Sequence, residues 1–93
     1  MCTYITETIA VDGSAKGRAG WRRCTRATVY FDHPVHAAAE HTLNIDFVDP
    51  AHGPEGRVAV ELTHESARAL AAAILAVLDQ VPADLLTPAP AGA

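Results

Sequence analysis

Four stretches of this chain alternate apolar and polar residues with a period of two, and a fifth changes to helical spacing; that order restricts the fold to a small α+β unit. Residues 2–11 place Ile5, Ile9 and Val11 on one side and Tyr4, Thr6 and Thr8 on the other. Residues 25–32 do the same with Ala27, Val29 and Phe31 against Thr28, Tyr30 and Asp32. In residues 40–48 the inward set is Leu43, Ile45 and Phe47, and in residues 57–62 it is Val58, Val60 and Leu62. Such alternation is the mark of strands buried on one face. Short connections favour antiparallel neighbours.

After the fourth strand, Ala67, Leu70, Ile74, Val77, Leu78 and Val81 recur at helical spacing. Thr63 suits an N-cap and Glu65 the positive end of the helix dipole, and Pro82 stops the run. The expected architecture is ββββα: a four-stranded antiparallel sheet with one C-terminal amphipathic helix, residues 63–80, packed on one face. Residues 1–82 form the single domain, and residues 83–93, rich in Pro and Ala, form a peripheral tail. Residues 12–20, rich in Gly and polar side chains, read as a flexible loop pinned by Trp21, and residues 49–56, with two prolines and two glycines, read as a turn.

At 93 residues the chain sits near the lower limit for a core without disulfides or metal. A homodimer or a bound metal would supply the missing stability, and the homodimer is the expected route. The uncovered sheet face, with Thr28, Tyr30, Thr42, Asn44, Asp46 and Glu61, is polar without strong charge. It serves as interface, solvent-facing surface or pocket wall for a small-molecule ligand, in that order of expectation.

A net charge of −4 gives no footprint for nucleic acid, although Lys16, Arg18, Arg22, Arg23 and Arg26 cluster. Those five read as a solvated loop and strand start rather than an anion site. No apolar run is long enough to span a membrane. Cys2 and Cys24, without an apolar leader, point to free thiols in the cytoplasm. No nucleophile elbow, Rossmann fingerprint or Walker lysine is present.

The chemistry concentrates in Asp32-His33-Pro34-Val35-His36-Ala37-Ala38-Ala39-Glu40-His41. If the strand registers continue, His33 and His41 meet across the mouth of this connection on the helix-covered side. His36 then turns back to join them. Three neutral imidazoles suit a transition metal such as Zn, Fe or Cu. Asp32 and Glu40 adjoin them as supporting acceptors. The competing reading is a strand-ending turn with hydrogen-bonded or solvated histidines, and metal-free acid–base work is the third. Glu7 shares the alternation set of Ile5 and Ile9, so it enters the helix-covered layer or rests at its margin beside Arg26 or Arg57. With His33 and His41 it would complete a set of two histidines and one carboxylate. Glu7 and Glu40 are thus the candidate catalytic carboxylates, and His33, His36 and His41 the candidate metal ligands.

The opening Met1-Cys2-Thr3-Tyr4-Ile5-Thr6-Glu7, the histidine segment, Asn44-Ile45-Asp46-Phe47-Val48, and Val58-Ala59-Val60-Glu61-Leu62 leading into Ser66-Ala67-Arg68-Ala69-Leu70 resemble a family of small actinobacterial proteins of unknown function. The likeness runs through nearly the whole chain. It implies a cytoplasmic protein associated with secondary-metabolite settings and assigns no activity.

Overall fold

In a computed structural model, which describes residues 5–18, 20–51 and 56–86, four strands form one antiparallel sheet in the order β1-β2-β3-β4. They are β1 (Ile5–Gly17), β2 (Gly20–Asp32), β3 (Thr42–Val48) and β4 (Val58–Leu62), followed by α1 (His64–Gln80) and a short 3-10 turn over Ala83–Leu85. The fold is the α+β unit that the alternation predicts. Cys2, Tyr4, most of the turn after Pro50 and the end of the tail lie outside the described residues.

The register sorts the side chains by face. Ile5, Phe31, Leu43 and Leu62 lie in line across the sheet, as do Glu7, Val29, Ile45 and Val60, and then Ile9, Ala27, Phe47 and Val58. These twelve make the apolar face, with Glu7 its one charged member. Thr28, Tyr30, Asn44, Asp46 and Glu61 fall on the other.

Residues 12–20 are not the expected loop. β1 and β2 are each 13 residues long and pair out to Gly17 and Gly20, so the Gly-rich segment is a two-stranded ribbon. A ribbon open to water on its outer side needs no apolar alternation. Its cross-strand backbone bonds are templated by the sheet it extends. Gly20, at φ +107°, takes a backbone conformation that L side chains rarely adopt. Between Ala10 and Gly13 the pairing slips by one residue, which ends the alternation that linked Val11 to Ile5 and Ile9. The far end of the ribbon curls back over the sheet: a Cβ on Gly17 would lie 3.8 Å from Val58 Cγ2.

Thr63 caps α1 as its position suggests, its Oγ1 accepting from the Ser66 N–H at 3.2 Å. The helix ends at Gln80, where Val81 turns extended ahead of Pro82. It covers less of the sheet than its amphipathic spacing implies. Between its first half and the apolar face lies an open trough of about 680 Å³, walled by Ile5, Phe31, Leu43, Leu62, Leu70 and Ile74 among others. Among the described residues no helix is long and apolar enough to cross a membrane.

The polar face holds an unexpected buried pair. Thr42 is fully enclosed and Asn44 nearly so, and the Thr42 hydroxyl donates to Asn44 Oδ1 at 2.7 Å. Thr42→Val keeps the shape and removes the donor, leaving an enclosed amide oxygen without that bond. The expected cost is about 1–2 kcal/mol, read as a lower urea midpoint at unchanged slope.

Candidate functional site

Strand β2 ends at Asp32 and β3 begins at Thr42, so the histidine segment is the connection between two paired strands. Its first residue is set by a short local bond: the His33 N–H donates to Asp32 Oδ1 at 2.7 Å. The connection is then tied down from across the sheet. The Glu61 carboxylate on β4 accepts the N–H groups of three consecutive residues, Val35 on Oε2 and His36 and Ala37 on Oε1, the last two each at 2.9 Å. Those donors, with the nearby His36 side chain, hold the Glu61 carboxyl below its ordinary value of 4.5.

His33 and His41 do meet at the mouth. Their ring centroids are 4.6 Å apart at an interplanar angle of 30°. His33 Nδ1 lies 3.1 Å from the Glu40 carbonyl oxygen, and His41 stacks on Phe31 with centroids 5.8 Å apart. A neutral His33 that donates from Nδ1 to that carbonyl presents Nε2 as its lone-pair nitrogen. The pair straddles the end of the sheet: His41 rests on a residue of the apolar face, whereas His33 lines a recess that Tyr30 and Asp46 share. Strand alternation places both rings on the helix side, but neither histidine lies within a strand, so the alternation does not carry to them.

The other predicted residues separate. His36 contributes its backbone N–H to Glu61, and Glu40 contributes its carbonyl to His33. Glu7 stands opposite Val29 and lines the trough. Arg57, one of its candidate partners, is taken by Asp46 instead, with Arg57 Nη2 to Asp46 Oδ1 at 3.0 Å. Among the described residues no three His, Cys, Asp or Glu side chains converge closely enough to hold a metal between them. The histidine site is therefore a pair within a wider polar setting.

That setting is a recess of about 230 Å³ on the polar face, lined by Tyr30, Asp32, His33, Asn44, Asp46 and Arg57 with Glu61 beside them. The Tyr30 hydroxyl donates to Asp46 Oδ2 at 3.3 Å, opposite the Arg57 contact. Partial burial and the Asp46 charge push the Tyr30 phenol above its ordinary value, and the bond to Asp46 raises the Arg57 guanidinium further. Tyr30, Asp46 and Glu61 were legible as members of one face. Their mutual bonds, and the capture of the loop by Glu61, carry no motif.

No curated protein and no solved structure matches this chain. Residues 1–87 match the family of unknown function DUF6295, over almost the entire length and in keeping with the resemblance noted in the sequence, and the chain belongs to that family.

Proposed function

We propose that this chain is a small homodimeric metal-binding protein in which His33 and His41 hold one transition ion at the mouth of the β2–β3 connection. The observation that carries this reading is the pair itself: two imidazoles 4.6 Å apart, one with its Nδ1 placed on a backbone carbonyl at 3.1 Å. A carbonyl on the far nitrogen is the usual orienting partner of a ligating histidine. His36, on the same loop, is the candidate third donor, and Zn, Fe and Cu are the ions that imidazole donors suit. In a catalytic version, a small molecule occupies the recess beside His33 while Glu40, on the same connection, moves the proton; Glu7, in the trough on the opposite face of the sheet, has no part in it. A cytoplasmic setting in secondary metabolism is the reading that the resemblance supports, and the free thiol of Cys24 agrees with it.

A second reading is favoured by the bonded set Tyr30, Asp46 and Arg57: a metal-free module that holds a small polar molecule or a partner at the polar face. Elemental analysis of untagged protein separates the two. The metal reading expects about one equivalent per chain, at least tenfold less in His33→Ala and His41→Ala, and a lower melting temperature after chelation. Absence of stoichiometric metal, with melting unchanged by chelator, overturns it in favour of the recess.

A further inference from the structure

Residues 69–78 of α1 read Ala-Leu-Ala-Ala-Ala-Ile-Leu-Ala-Val-Leu, ten positions without a polar side chain. A helix apolar on every side belongs inside a larger structure. Here only one side meets the sheet. Leu70, Ala71 and Ile74 line the trough, while Leu75, Val77 and Leu78 stand 63%, 61% and 48% exposed. The sheet is equally unfinished, with Ile5 and Ile9 on the apolar face and open to solvent. Among the described residues no Leu, Ile, Val, Phe or Trp is buried, and the enclosed apolar residues are Cys24 and Ala27.

More surface is exposed than on a compact monomer of this mass. The chain exposes 7077 Å², whereas a folded monomer of 9.8 kDa exposes roughly 5,200 Å². That excess is spread over the projecting ribbon as well as this patch, and a standard interface takes roughly 800 Å² from each partner. The surface also has the form that pairing with itself requires, because a convex apolar helix and a concave apolar trough lie side by side on one protomer. A twofold axis then places each helix in the other's trough, the same patch serving on both chains. Charges of both signs, Glu7 with Arg68, are what the trough carries, so identical copies meet without a single-sign field.

We infer that a second copy of this chain covers α1 and fills the trough, the two α1 helices lying side by side about a twofold axis. This rests on the homodimer proposed above and adds the surface that makes it. Leu75→Glu tests it. Within one protomer Leu75 is mostly exposed, so a charge there leaves an isolated chain unharmed. In the dimer it meets apolar side chains.

Light scattering of the parent protein is expected to give a dimer at micromolar concentration, and Leu75→Glu a dissociation constant raised at least 100-fold. Val35→Glu, on the histidine connection and 82% exposed, is expected to remain dimeric. If Leu75→Glu does not fold, the parent supplies the answer: its thermal midpoint rises with protein concentration when the dimer is the folding unit. A parent that is monomeric, with a concentration-independent midpoint, overturns both the dimer and its surface. A parent that is dimeric and stays so with Leu75→Glu overturns the surface alone. Metal content is read separately and bears on neither outcome.

Discussion

Glu61→Gln is expected to melt on the order of 5 °C below the parent protein at pH 7 and to speed amide exchange at Val35, His36 and Ala37. Both carboxylate oxygens are in use, Oε2 by Val35 and Oε1 by His36 and Ala37. A glutamine amide has one accepting oxygen, so at least one of these N–H groups faces an NH₂ instead. The loop it frees carries His33 and His41 and the Glu40 carbonyl that meets His33 Nδ1, which spreads the effect from one bond to the mouth.

The pH dependence of that variant follows from the direction of the Glu61 shift. Its folded-state carboxyl is held below 4.5 by the Val35, His36 and Ala37 N–H groups. A carboxyl with a depressed folded-state value adds stability above its unfolded value, and that stability is lost as pH falls through the folded value. The difference in melting temperature between parent and Glu61→Gln is therefore expected to be full at pH 6–7 and to shrink below about pH 4.5. Equal melting at pH 7, or a gap that widens on acidification, would contradict the clamp.

Phe31→Ala is the second large effect, about 2–3 kcal/mol of stability by chemical denaturation. A fully enclosed phenylalanine costs roughly 3–5 kcal/mol on truncation, and Phe31 is half-buried. It stands between Ile5 and Leu43 in the register, walls the trough, and carries the stacked His41 ring. Its loss therefore reaches the apolar face and the histidine pair together. The proton resonances of His41, shifted by the ring current of Phe31, are expected to move towards random-coil positions in the variant. Unmoved His41 resonances would mean that the two rings are not stacked in solution.

These effects show where sequence pattern carries information and where it does not. Alternation in β2, β3 and β4 was legible because each strand has one face against apolar neighbours, and Thr63 was legible because a cap is a local bond. The ribbon was not. Its pairing rests on backbone bonds that leave no side-chain period, and its glycines and cations carry the composition of a loop. The meeting of His33 and His41 was legible from strand ends that must approach when β2 pairs with β3. The clamp was not, since an outward Glu in β4 looks the same whether it holds three amides or none.

The curled ribbon also fixes what one common measurement sees. Trp21 is the sole tryptophan, it stands opposite Lys16 near the end of the ribbon, and it is 69% exposed. Intrinsic fluorescence of this protein is thus a local gauge of hairpin fraying. Helix circular dichroism, coming from α1, reports a different part of the molecule, and the interval between the two curves measures how independently the ribbon and helix melt.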